Sequence, residues 1–310
     1  MEWRCAGLGW PGGGPVLRWA GGRGSALAYG RVIGFRAVGE RRCVGARGNL
    51  CPLRAVVPAR ATQARCPECA RLDRAFSVAA DGVPDDPRPY RVYLAWFGAG
   101  LLKVGITAEE RGAVRLLEQG AVAFCWLGRG PLMAARRTEE LLRAALGVPD
   151  RVPYARKRAV RGALPGWAER ARELEGLYRR AVALEGWAEA LERVEFEAVD
   201  HSGAFGLGDG GRGLGEGGQA VPGLRERARG AADGVVREVV DGGVLAGRLV
   251  AAAGPDLHLS VADGRVLVVD TRVLVGWELA GVDAGPGTEV TVPVEALVSA
   301  GGRSEQDGLF

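Results

Sequence analysis

Two periodicities divide the chain into recognisable stretches. Val92, Leu94 and Trp96 alternate with Tyr93, Ala95 and Phe97, the period-two pattern of a strand. Gly98-Ala99-Gly100 predicts a tight turn, and Leu101 to Thr107 reads as the returning strand. Ala108 to Glu118 has a helical pattern that Gly120 ends, and a third apolar run spans Ala121 to Leu127. Met133 to Leu146 predicts a second helix, closed by Gly147 with Pro149 just beyond. The expectation for 89–162 is a compact α+β unit, a small antiparallel sheet with flanking helices.

The flanking regions differ in texture. Residues 1–88 form an N-terminal β region, in which glycine separates short apolar runs such as Pro15-Val16-Leu17. Asp81 to Pro89, rich in proline and aspartate, reads as a linker. Within 163–199, Trp167, Ala171, Leu174, Tyr178 and Ala181 step by three or four, an amphipathic helix or helix pair. Residues 200–233 form a glycine-rich linker, with nine glycines among 202–218, and are expected not to pack. Residues 234–310 are rich in Val and Leu and cut by turns at Asp241-Gly242-Gly243 and Asp263-Gly264, predicting a small β-barrel-like module.

Composition places this chain of 310 residues, 47% apolar and 25% charged, among globular proteins. It contains no apolar run of the roughly 18 residues that a membrane helix needs. Its first residues lack the pattern of a leader, so the expected location is the cytoplasm, with no membrane partner. Only two of the 41 basic residues are lysine, and such a vocabulary supplies arginine freely. Their distribution carries more information. Residues 1–161 hold 27 basic and 13 acidic side chains, whereas 162–310 hold 14 and 24. A basic first half points to a polyanion partner, nucleic acid, DNA or RNA, being the expected one.

The two histidines, His201 and His258, lie outside the α+β unit, which argues against Ser/His/Asp or Cys/His catalysis. No phosphate-cradling glycine-lysine loop is present. Cys43, Cys51, Cys66 and Cys69 are spaced C-x7-C-x14-C-x2-C. The C-x2-C pair reaches one tetrahedral zinc from a tight knuckle, and four thiolates leave no open position, so a Zn²⁺ there would be structural. Packing cysteines and a redox C-x-x-C stay open as alternatives. After the second helix, Arg151, Arg156, Lys157 and Arg158 surround Tyr154, a pattern for phosphate contacts with one stacking aromatic or for a solvated basic loop. Arg111 joins this set of nucleic-acid-binding candidates.

Three segments carry a resemblance: Tyr90-Arg91-Val92-Tyr93-Leu94, Leu102-Lys103-Val104-Gly105-Ile106-Thr107, and Arg115-Leu116-Leu117-Glu118-Gln119-Gly120-Ala121. They resemble the core of GIY-YIG nuclease domains. The chain from 43 to 155, and more weakly from 240 to 280, also resembles the bacterial family called domain of unknown function 2797. The GIY-YIG resemblance implies catalytic roles for Tyr93 and the helix residue Arg115. Glu139 would hold a divalent cation, Mg²⁺ or Mn²⁺, for phosphodiester cleavage. Lys103 stands where that pattern has its second tyrosine, and Gln119 where it has a histidine-like position. Lys103, a cation, is expected with Arg115 to bind the phosphate, and is a base only if burial or nearby positive charge lowers its pKa. Without that, the same residues make a non-catalytic binding or protein-interaction module. Glu139 also has an ordinary reading, an ion pair with Arg143 one helical turn on.

Overall fold

The computed structural model describes residues 3–75, 86–208, 230–283 and 289–297. Strands β1 (Cys5–Gly9), β2 (Val16–Trp19) and β3 (Gly24–Ala26) form an antiparallel sheet, and β4 (Val32–Val38) leaves it for another. Loops bearing the cysteines lead into helix α1 (Pro67–Ala75). Residues 81–85 of the expected linker lie outside the described residues. Its end is held locally, since the Tyr90 hydroxyl donates to Asp86 at 2.7 Å.

The central unit follows: β5 (Tyr90–Gly98), β6 (Leu101–Ala108), α2 (Val114–Gln119), β7 (Ala123–Gly130) and α3 (Leu132–Leu146). The expected Ala108–Glu118 helix is reduced to a 3₁₀ turn and the short α2. Gly112 separates them, with a φ of 46° and ψ of −144° that no helix contains. Two helices complete the unit, α4 (Tyr154–Arg161) and α5 (Trp167–Val182). Short strands β8 (Glu192–Arg193) and β9 (Val199–Asp200) pair with β7, so the sheet order is β6-β5-β7 with β8 and β9 outside β7. The helical expectation beyond Val182 is not met, because the chain there turns back to supply those two strands.

Alternation along β5 divides the sheet between two cores. Val92, Leu94 and Trp96 join the main core, which also holds Ala135 and Leu142 of α3 and Leu174 of α5. Tyr93, Ala95 and Phe97 face the other way, into a smaller cluster with Leu116 of α2 and Val152.

The third sheet corrects the barrel expectation. Its strands are β10 (Gly234–Val236), β11 (Val244–Ala253), β12 (Asp256–Ser260), β13 (Val266–Asp270), β14 (Glu278–Gly281) and β15 (Val294–Ala296), with helix α6 (Thr271–Leu274) after β13. The order is β14-β4-β11-β12-β13-β10-β15, an open sheet in which β10 and β13 run parallel. β4, from the first 40 residues, enters between β14 and β11, and the two edge strands do not meet.

The start of the glycine-rich stretch also departs from expectation. Ser202, Phe205 and Leu207 are buried, and Phe205 packs edge-on against Trp10. One aromatic and one leucine between glycines suffice to anchor it. Residues 209–229 of that stretch lie outside the described residues. No described helix is long and apolar enough to cross a membrane.

Candidate functional site

Two constellations emerge. In the first, the four sulfurs of Cys43, Cys51, Cys66 and Cys69 lie within 4.8 Å of one another. A tetrahedral zinc with bonds of about 2.3 Å spaces its sulfurs by roughly 3.8 Å, and Cys51 and Cys66 stand 4.0 Å apart. All four side chains are buried. Backbone N–H groups of Gly45 (3.4 Å) and Cys66 (3.2 Å) donate to Cys43 Sγ, the support a thiolate needs. Gly45 has a φ of +81°, and a Cβ there would stand 1.9 Å from the Asn49 oxygen, so only glycine lets the knuckle close. Cys69 lies in the first turn of α1, one helical turn from the Cys66 carbonyl that accepts the Ala70 N–H. The residues fit a metal ion, and four thiolates make it a structural one. Among the described residues this is the single group of three or more such ligands.

A buried arginine ties the cysteine loops to the third sheet. Arg41 donates to five backbone carbonyls, those of Pro58, Ala59, Ala61, Val275 and Arg272, at 2.6–3.2 Å. Burial lowers its pKa to about 10. Five donors in a fixed fork suit a ring of carbonyls, which lysine cannot span.

The second constellation lies on the smaller core face of the central sheet. Lys103 Nζ donates to Gln119 Oε1 at 2.8 Å, and Gln119 Nε2 donates to the Tyr93 hydroxyl at 2.8 Å. Lys157 Nζ donates to the main-chain oxygen of the same Gln119 at 2.9 Å. One glutamine at the end of α2 therefore joins β5, β6 and α4. Tyr93 is 2% exposed and Lys103 8%. Burial, then the positive field of Arg115, brings Lys103 down to about 8. Burial, then the field of Lys103, brings Lys157 down to about 7. Burial raises Tyr93, against the Gln119 hydrogen bond and the field of Arg115. Burial likewise raises Glu139 on α3, which Lys103 opposes and Asp150 reinforces.

The fields of Arg115 and Glu139 reach both Tyr93 and Lys103, whereas the hydrogen-bonded chain itself joins Lys103, Gln119 and Tyr93. Arg115 is partly exposed and lies 3.8 Å from Glu118, which also pairs with Arg111. Arg151 and Arg156 are exposed. Glu139 belongs to no cluster of three or more metal-ligating side chains among the described residues.

The basic run after α3 divides: Arg151 and Arg156 are exposed, whereas Lys157 and Arg158 are buried and serve neither as phosphate contacts nor as a solvated loop. Lys157 is buried, its ammonium 4.0 Å from the centre of the Phe97 ring and 4.4 Å from that of Tyr154. Tyr154 carries Arg272 at 4.3 Å as well, which leaves its ring packed by cations and not open for a base. Arg158 is buried and forks onto Asp256 (2.7 and 3.0 Å) and Asp270 (2.6 Å). Arg161 reaches Asp256 at 2.9 Å and His258 at 3.0 Å. The physical reason is present in the spacing: Tyr154, Lys157, Arg158 and Arg161 fall at i, i+3, i+4 and i+7, the inward stripe of a helix. That stripe locks α4 to β12 and β13. No sequence pattern points to Asp256, Asp270 or His258 as its partners, because they lie about a hundred residues away.

The family described as "Protein of unknown function (DUF2797)" matches residues 30–210. The chain belongs to that family. No curated protein and no solved structure matches it.

Proposed function

We propose that the protein binds nucleic acid through the rim of the Lys103–Gln119–Tyr93 site and acts there on a phosphodiester. The observation that carries this reading is the lysine itself. Lys103 stands in a buried hydrogen-bonded chain, its pKa lowered to about 8, with Arg115 and Glu139 beside it. A base with a pKa near the working pH has both the right protonation state and useful driving force. In this reading neutral Lys103 takes the proton of the attacking water as the water oxygen bonds to phosphorus, and the P–O bond to the departing sugar oxygen breaks, that oxygen taking a proton from solvent. Arg115 offsets charge on the phosphate, and Tyr93 positions Gln119 and through it Lys103. Arg111, Arg151 and Arg156 contact flanking phosphates. The GIY-YIG reading assigns Mg²⁺ or Mn²⁺ to Glu139; no step here depends on it. The ββαβα order with the first strand central supports the GIY-YIG-like core, and the cysteine cluster supports zinc as the structural ion.

Binding without cleavage is the second reading, favoured by the low exposure of Tyr93 and Lys103. One assay separates them. Labelled single- and double-stranded DNA and RNA are offered to wild type, Lys103→Met and Glu139→Gln, with Mg²⁺, Mn²⁺ or chelator. Cleavage lost in Lys103→Met, with a rate that rises through pH 8 in wild type, supports the catalytic reading. Salt-sensitive binding with no cleavage by any of the three proteins leaves the binding reading alone standing.

A further inference from the structure

The two loops that flank Cys51 present an unusual surface. Leu50 is 78% and Leu53 73% exposed, and Val56 beside them is 54% exposed. Single exposed apolar residues are ordinary, but three within seven positions are not. On either side stand Arg47 and Arg54, both exposed and both left-handed, with φ of 54° and 44°. They are the described non-glycine residues with positive φ.

The local geometry explains how those conformations are held. Ala46 and Asn49 exchange backbone hydrogen bonds at 2.9 and 3.1 Å around Arg47-Gly48, whose φ values are both positive. That is the two-residue turn in which asparagine or glycine is normally the first residue. The Arg54 N–H donates to the Cys51 oxygen at 3.1 Å, and Arg42 Nη1 donates to the Arg54 oxygen at 3.0 Å. Cys51, in the four-sulfur cluster, anchors both turns. Arginine in a glycine position, twice, next to uncovered leucines is backbone strain, and such strain collects at functional surfaces.

Charge selects the occupant. From Arg41 to Pro67 the chain has six arginines and no Asp or Glu; Arg41 is buried and Arg42, Arg60 and Arg65 pair with Glu40, Glu238 and Asp73, so the cations of the tip itself are Arg47 and Arg54. We propose that this tip is a second nucleic-acid contact. Leu50 and Leu53 pack on unpaired bases or wedge at a distorted step, while Arg47 and Arg54 reach the adjacent phosphates. The inference shares with the proposed function the class of ligand and uses a different surface.

The test uses the full chain with zinc bound and fluorescein-labelled single-stranded DNA, single-stranded RNA and duplexes of each, at two salt concentrations. Leu50→Ser/Leu53→Ser is expected to weaken single-strand binding about tenfold or more, with metal content and melting temperature unchanged. Arg54→Gly is expected to weaken binding and flatten its salt dependence by about one phosphate contact, without lowering the melting temperature, because glycine accepts that φ. The second variant keeps the proposal falsifiable if the first disturbs the metal site. Arg115→Ala, at the Lys103 site, separates the two surfaces. Binding lost in Arg115→Ala but intact in both tip variants overturns the tip and leaves the core reading. Binding lost at the tip alone supports this inference and counts against phosphate contact at the core. A tip that instead captures a second protein, with no nucleic acid bound by wild type, overturns it as well.

Discussion

Gly105 lies opposite Tyr93 in the β5–β6 ladder, and a Cβ on it would stand 2.4 Å from the Tyr93 hydroxyl. The phenol occupies the space that a side chain at 105 would take. Gly105→Ala must therefore push the ring away and break its hydrogen bond with Gln119. The expected cost is about 1–3 kcal/mol in stability. Chemical denaturation measures it, and an unchanged midpoint would refute the packing described.

Metal removal should act on the first constellation alone. The intact chain is expected to hold one zinc per molecule, and chelation or Cys66→Ser to lower its melting temperature, since metal binding there contributes folding free energy. Elemental analysis beside calorimetry checks both points. A melting curve indifferent to a chelator would remove the metal from the account.

Arg41→Met removes the side-chain donor that five carbonyls share, and among them that of Pro58 keeps the Ala61 N–H. A loss of about 2–5 kcal/mol is expected. Arg41→Lys should recover only part of it, because one ammonium cannot span the ring. Full rescue by lysine would contradict the geometry.

Asp256→Asn uncouples α4 from the third sheet. Asp256 is fully buried and bonds to both Arg158 and Arg161. Removing its charge leaves Arg158 with Asp270 alone and takes from Arg161 its carboxylate partner, and breaking a buried pair of this kind costs about 3–5 kcal/mol. Urea unfolding gives the value, and a loss below about 1 kcal/mol would mean the cluster contributes little.

Lys157 predicts a pH dependence whose sign is fixed. Its ordinary pKa is 10.5 and its folded value about 7. Between them the unfolded chain binds more protons than the folded one, so stability rises with pH across that window. The burial penalty is in full force below pH 7 and is relieved towards pH 10. Lys157→Met should flatten this slope relative to wild type. Matched unfolding series at pH 6, 8 and 10 test it, and parallel slopes would exclude the lysine as the cause.

How much of this is legible along the chain follows from the range of each interaction. The β5–β6 hairpin and α3 are readable because alternation, Gly98-Ala99-Gly100 and the Gly147 stop act within a few residues. The cysteine quartet is readable because metal chemistry constrains residue type and spacing together. The basic run is where linear reading fails. Arg151 and Arg156 face solvent, but Lys157 and Arg158 face inward, and a charge reveals its direction only once its partner is known.

The linear order thus carries the local elements, the metal-ligating set, the candidates Tyr93, Lys103, Arg115 and Glu139, and the uneven charge of the two halves. Three-dimensional packing alone fixes that β4 joins strands more than 200 residues away, that Gln119 is the hub linking Tyr93, Lys103 and Lys157, and that Arg158 belongs to Asp256 and Asp270. The difference is one of range, because periodicity and turn chemistry act between near neighbours. Desolvation and ion pairing act through space, and they choose among partners that the linear order leaves unconnected.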